Sequence, residues 1–356
     1  MAESSFLRRR WKLIVNLITV AALIILVVAI HGELLDTFKN LFKVHAWWLL
    51  LIIPVEFLNY DAQARMYQGL FDIMGNELSY WRLFAASLEL NFVNNVFPSG
   101  GVTGISYFGV RMRGVGITGS KAAVVQLLKL VLLFLSFEIL IVFGLFCLAI
   151  EGHMNSLILL LAGMLTTVLV IGTAVFAFII GSKQRISFFF SWMTKSLNGF
   201  MTFIKRKDVE VINAARAEHI FQDLHENYMQ IRSDKRRLKA PFIWALMANF
   251  WEVIAVVVVY MAFGHLVNFG AVILAYAVAN FAGLVSVLPG GVGIFEGLMT
   301  LVLTATGVPS RLSLPVTVMY RVVNTLVQLP PGYYLYHRTL QGPKQSQPTA
   351  STEAVL

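Results

Sequence analysis

Leu13 to Ile30 is a run of 18 residues with no charge, and Asn16 is its most polar member. A helix needs about 20 predominantly apolar residues to cross the hydrocarbon core of a bilayer, so this run reads as a membrane span. Further apolar stretches lie near Trp47 to Met66, Ala122 to Ile150, Leu157 to Ile180, Pro241 to Phe263, Phe269 to Val287 and Leu314 to Tyr336. The chain is 58% hydrophobic and 13% charged, whereas soluble domains carry about 25% charged residues. The expected fold is therefore all-α, a polytopic integral membrane protein.

A formal net charge of +9 would ordinarily raise nucleic acid as a partner. Here the Lys and Arg residues sit mainly between apolar runs, where the positive-inside rule places them, so no nucleic-acid partner is expected. Arg8, Arg9 and Arg10 put the start of the first span on the cytoplasmic side. Arg111, Arg113 and Lys121 share one loop, and many basic residues occupy 183–239. Arg338 and Lys344 close the chain. The loops near Glu151 to Asn155 and Gly264 to Asn268 have no Lys or Arg, while His31 to Lys43 carries two lysines against the trend. The pattern predicts both termini in the cytoplasm and a plasma-membrane (inner-membrane) location. The basic start resembles a signal peptide, but the apolar stretch is long and no small-residue cleavage site clearly follows, so it reads as an uncleaved span.

Segment 183–239 is charged, with Val209, Ile212, Ile220, Leu224, Tyr228 and Ile231 at roughly helical spacing. It reads either as an amphipathic element on the membrane surface or as a solvated linker helix. Residues 341–356 have the composition of a disordered tail. Residues 1–340 then form one transmembrane domain. Cys147 is the only cysteine, and Cys and His show no metal-ligand spacing, so neither a metal nor another cofactor is expected.

Two places break their own helices. "FPSGGVTG" at Phe97 to Gly104 and "LPGGVGIF" at Leu288 to Phe295 are each preceded by an Asn-Phe pair, Asn91-Phe92 and Asn280-Phe281. Eighteen residues separate Pro98 from Gly116, and eighteen separate Pro289 from Gly307. Each second glycine opens a long apolar span with a cation inside it: Lys129 lies 13 residues after Gly116, and Arg321 lies 14 after Gly307. The ordered set predicts a weak internal repeat, with halves near 81–150 and 269–337. Under the charge topology, Trp81 to Val96 with Val102 to Val110, and Phe269 to Thr306, form re-entrant hairpins pointing at each other from opposite faces. That is the pattern of an inverted-repeat transporter with its site near the midplane.

Such a break has a physical reason. Proline lacks a backbone donor and disfavours helix before it, and glycine turns the chain without a Cβ penalty. Unpaired amides in hydrocarbon cost several kcal/mol, so the turns must line protein or water. A helix restarting near Val292 would aim N–H groups and a positive dipole end into that space, an arrangement suited to phosphate. Glu56, Asp61, Glu89, Lys129, Glu138, Glu252, Glu296 and Arg321 fall in or near apolar spans. Each costs at least about 2.5 kcal/mol at the bilayer centre, so each should pair or line a wet path. The substrate-binding candidates are Arg321, Glu296, Lys129, Asn95, Pro98, Ser99, Gly100, Gly101, Pro289, Gly290, Gly291 and Gly293. Arg321 could hold phosphate bidentately, or pair structurally with Glu296 or Glu252. Lys129 could bind substrate or snorkel. The seven His form no metal spacing and no Ser-His-Asp set is evident, so an enzyme is not expected.

At these residues the chain resembles the lysylphosphatidylglycerol synthase transmembrane-region family, also called the flippase-like integral membrane family. The resemblance rests on "FPSGGVTGISYFGVRMRGVGITGSKAA", on "LPGGVGIFEGLM" and on Arg321 in "MYRVVN", and runs over roughly residues 10–340. It implies a lipid flippase that moves a phosphate-containing headgroup, such as an aminoacyl-phospholipid or a polyprenyl-linked lipid. In bifunctional members a cytoplasmic domain makes the lipid; only a short polar tail follows the last span here, so that activity is expected to be absent. The alternatives are a small-solute or ion-coupled transporter, and a membrane enzyme acting on a lipid-linked sugar. The expected partners are membrane phospholipid or a lipid-linked substrate, and a homo-oligomer is compatible with the sequence.

Overall fold

The computed structural model describes residues 44–97, 102–152, 156–180, 185, 235–285, 291 and 293–341. The expected first span and the tail beyond residue 341 lie outside them, as does segment 183–239 apart from residues 185 and 235–239. Among the described residues every regular element is helical.

The chain opens on a 3-10 turn, Ala46–Leu51, that runs into α1, Ile52–Ile73. Next come α2, Tyr80–Val96, α3, Val102–Arg113, and α4, Gly119–Ile150, capped by Thr118. α5 is Ser156–Ile180. A second 3-10 turn, Lys235–Leu238, leads into α6, Lys239–Ala262. α7 is Phe269–Val285, α8 is Ile294–Ala305 and α9 is Ser310–Gln341. Two boundaries differ from expectation. The span placed at Trp47 to Met66 lies deeper, because Ala46–Leu51 forms the 3-10 turn instead of the first helical turns. The restart expected near Val292 falls at Ile294, after two glycines in left-handed backbone, Gly291 (φ 67°) and Gly293 (φ 85°). A Cβ at such φ values costs about 1–2 kcal/mol, which explains the glycines.

Two series of four helices follow one another in the same order, α1 to α4 and α6 to α9, the described residues covering 22, 17, 12 and 32 in the first and 24, 17, 12 and 32 in the second. α1 and α6 pack antiparallel along their lengths: the His45 amide donates to Ala262 O at 2.8 Å, Asn59 Nδ2 donates to Ala248 O at 2.9 Å, and Gly69 lies against Pro241. Each long helix packs on the short helix of the other series, α4 on α7 and α9 on α2. Both crossings have glycine at their closest point. A Cβ on Gly270 would lie 2.1 Å from the Gly144 carbonyl oxygen, and one on Gly332 would lie 2.8 Å from the Leu88 oxygen. The two phenylalanines of the Asn-Phe pairs serve these crossings: Phe92 meets Tyr333 and Tyr336 of α9, and Phe281 meets Phe134 of α4.

Among the described residues, three helices, including α4 and α6 over most of their lengths, are long and apolar enough to cross a membrane. Large apolar side chains stay exposed on α4 and α5, among them Phe143, Phe146, Leu160, Met164 and Phe178. Lipid tails are as apolar as these side chains, so helix association rests on close packing and polar ties rather than on escape from water. Asn249 supplies one such tie to Ser136 and Leu133 O of α4, and Asn268 supplies another to Cys147 O. Bonds of this kind contribute about 0.6 kcal/mol each.

Candidate functional site

A cavity of about 270 Å³ lies where the end of α2, the start of α8 and the middles of α6 and α9 converge. α9 presents one face to it: Tyr320 and Arg321, then Asn324 and Thr325, then Gln328 and Leu329, each pair one turn after the last. α2 adds Asn91, Asn94 and Asn95, α7 adds Tyr276 and Asn280, α6 adds Glu252, and α8 adds Phe295. Both asparagines of the Asn-Phe pairs thus face one space, while their phenylalanines pack behind.

Arg321 is the cation on this wall. Its Nη1 donates to Glu296 Oε1, and its guanidinium lies 5.5 Å from the Phe295 ring centroid. Glu296 is buried, and its Oε2 accepts the Gly293 amide at 2.6 Å. The carboxylate therefore caps the restarting helix with one oxygen and holds the guanidinium with the other. At Gly293 the N-terminal amide expected to meet phosphate is occupied by the protein's own acid. Phe295 stacks on Tyr320 at 6.3 Å, and Tyr276 stands edge-on to both rings. Together they form an aromatic wall beside the charge.

Amides and carboxylates continue in an unbroken chain of hydrogen bonds. Lys129 Nζ donates to Gln63 Oε1 at 3.2 Å, Gln63 Nε2 to Asn59 Oδ1 at 2.6 Å, and Asn59 Nδ2 to Glu252 Oε1 at 3.1 Å. Tyr320 OH donates to Glu252 Oε2 at 2.8 Å and accepts from Asn324 at 3.2 Å. Gln328 Nε2 donates to Asn324 Oδ1 at 2.8 Å and to Glu56 Oε2 at 2.7 Å. Gln328 Oε1 accepts from Asn91 at 2.5 Å, and Asn91 Oδ1 accepts from Asn95 at 3.0 Å. The chain joins α4, α1, α6, α9 and α2.

Of the sequence candidates, Arg321 and Asn95 line the cavity, and Glu296 sits directly behind Arg321. Gly291 and Gly293 form the turn into α8. Lys129 does not line the cavity: its ammonium lies 4.9 Å from the Tyr67 ring centroid and reaches the site only through Gln63 and Asn59. Pro98, Ser99, Gly100, Gly101, Pro289 and Gly290 lie outside the described residues. Glu56 is buried rather than lipid-facing. Sequence reasoning missed the roles of Tyr276, Tyr320 and Gln328, and used Asn91 and Asn280 only as repeat markers. The signal was present, since amides and phenols within apolar spans must find polar partners.

Another buried acid, Glu89 on α2, stands apart from the cavity. It accepts from Tyr107 at 2.7 Å, from Arg111 at 2.9 Å and from Thr339 at 2.8 Å, which ties α2 and α3 to the end of α9.

Residues 13–332 match the family described as the lysylphosphatidylglycerol synthase TM region. The chain belongs to that family. A UPF0104 membrane protein of Methanothermobacter thermautotrophicus is 33% identical over 97 residues, 27% of this chain and 29% of the relative. One of Pyrococcus horikoshii is 23% identical over 103 residues, 29% of this chain and 31% of the relative. The matched stretches thus span under a third of either relative. Family membership and the apolar helices together identify a multi-pass membrane protein.

Proposed function

We propose that this chain is a lipid translocase of the plasma membrane, moving a phosphate-bearing headgroup, such as that of an aminoacyl-phospholipid or a polyprenyl-linked lipid, between leaflets. One observation supports the reading: an amide-lined cavity with an arginine in its wall lies at the mid-length of α6 and α9, where α2 meets α7 and α8. α2 and α8, whose two ends are both described, have 17 and 12 residues and are about 26 and 18 Å long, short of the roughly 30 Å hydrocarbon core. α2–α3 and α7–α8 then each read as a re-entrant hairpin, and the two helix series as an inverted repeat about the antiparallel α1–α6 pair. In this reading both termini are cytoplasmic.

The headgroup phosphate exchanges with Glu296 for the Arg321 guanidinium, whose planar fork suits two phosphate oxygens. The amides of Asn91, Asn95 and Asn324 replace part of the headgroup's hydration, while the acyl chains remain in lipid. No covalent step is assigned to the protein.

The test is leaflet exchange in phosphatidylglycerol vesicles, with a short-chain fluorescent phosphatidylglycerol quenched from outside. The protein is expected to accelerate exchange, and Arg321→Ala to slow it about 10- to 100-fold, the worth of a charge-assisted contact. Exchange at the wild-type rate in Arg321→Ala would refute the assigned role. Uptake of free glycerol phosphate without lipid exchange would replace the lipid reading with solute transport.

A further inference from the structure

The cavity network contains two carboxylates that make no ion pair among the described residues, Glu56 on α1 and Glu252 on α6. Their oxygens are treated differently. Both oxygens of Glu252 accept hydrogen bonds, one from Asn59 and one from Tyr320, so its negative charge is held by donors. Glu56 is 2% exposed. Its Oε2 accepts from Gln328, while its Oε1 is buried with no hydrogen-bond partner among the described residues. A bare carboxylate oxygen in the membrane interior is among the costliest arrangements a protein can adopt. A hydrogen on Oε1 removes the charge.

Among the described residues the surroundings provide no alternative counter-charge. α6 contributes Glu252, a like charge, and Glu56's own helix contributes Asn59 and Tyr60. α9 contributes Gln328 and Tyr320, α2 contributes Asn91 through Gln328, and α7 contributes Tyr276. Of the two nearby cations, Lys129 of α4 is separated from Glu252 by two amide side chains, and Arg321 is held by Glu296.

We propose that Glu56 carries an exchangeable proton on Oε1, with Glu252 as its ionised neighbour, and that substrate passage through the cavity is coupled to release and recapture of that proton. The coupling rests on the translocase reading; the proton site does not. Substrate phosphate on Arg321 adds negative charge and keeps the proton on Glu56; once the phosphate leaves, the guanidinium, or a substrate ammonium in the cavity, compensates a second negative charge. The Glu56 O–H bond then breaks heterolytically: the electron pair stays on Oε1 and the proton leaves to cavity water. Gln328 transmits the change, because the same amide holds Glu56, Asn324 and Asn91 of the first hairpin.

Infrared spectroscopy in phosphatidylglycerol vesicles tests the proton site. Glu138 on α4 also has a buried oxygen without a partner among the described residues, so the measurement uses a Glu138→Gln background. The expected result at neutral pH is the carbonyl band of a protonated carboxylic acid, retained in Glu252→Gln and lost in Glu56→Gln. No such band, or a band that survives Glu56→Gln, overturns the proposal. The coupling is tested by the leaflet ratio of the fluorescent lipid under a pH gradient. With one proton per lipid, a step of one pH unit shifts the steady ratio up to about tenfold. Glu56→Asp, which can still titrate, is expected to keep the response, and Glu56→Gln to exchange lipid without it. Wild-type exchange indifferent to the gradient overturns the coupling. A band lost in Glu56→Gln without any lipid exchange in the wild type supports the proton site and refutes the translocase reading.

Discussion

α2–α3 and α7–α8 hold matching places in the two helix series, yet they use their buried acids in opposite ways. Glu89 lies in the body of α2, away from the cavity, and three donors from two other helices satisfy it. Glu296 lies in the first turn of α8, where it holds the backbone turn and the cavity's arginine together. Among the described residues the first pair is fastened by its charge and offers amides from the end of α2, whereas the second carries its charge in the first turn of α8. A shared frame thus supports an anchored half and a half whose ion pair can be opened by a ligand.

The largest expected effect separates these roles. Arg321→Ala strands Glu296 in the interior and should lower stability by about 3–5 kcal/mol, read as a fall in melting temperature in detergent. The double variant Arg321→Met, Glu296→Gln should recover most of that stability without recovering lipid exchange. Arg111→Ala is expected to cost less, because Glu89 keeps Tyr107 and Thr339 and Arg111 is partly exposed. If Arg111→Ala abolishes exchange as fully as Arg321→Ala, the contrast between the hairpins fails. The crossings come next. Gly270→Val and Gly332→Val should each destabilise by about 1–3 kcal/mol through overpacking against backbone, and to similar extents if the two crossings are equivalent. Smallest is Gly293→Ala, at about 1–2 kcal/mol from its positive φ, with the Glu296 cap intact; the same change at Gly109, inside α3 with open space, should instead raise stability by about 0.5–1 kcal/mol in a melting assay.

Much of this architecture was legible because bilayers constrain sequence strongly. The apolar runs gave most helices, and the glycine-proline breaks gave both pairs of short helices. Arg321 with Glu296 was one of two pairings open to the sequence, and the structure forms it. Lys129 shows why spacing misled. It follows its glycine by 13 residues and Arg321 follows its own by 14. One residue turns a helix side chain by about 100°, enough to point Lys129 toward Tyr67 and Gln63 on α1 instead of into the cavity. The hydrogen-bond chain through Gln63, Asn59, Tyr320 and Gln328 was illegible for another reason. Its members come from helices far apart in sequence, and only packing reveals which amides meet. The aromatic wall of Tyr276, Phe295 and Tyr320 was hidden in the same way, since aromatic residues are common throughout the spans.

The central claim is that the tips of both hairpins bound a single headgroup cavity. Replacing Cys147, the only cysteine, with serine allows single cysteines to be placed at Asn95 and at Asn280, one from each hairpin. Their labelling by a small, membrane-impermeant thiol reagent is then followed while short-chain phosphatidylglycerol is added. The account predicts that both positions are labelled and that one lipid protects both over the same concentration range. Protection of one position without the other, or labelling unaffected by lipid, would contradict it.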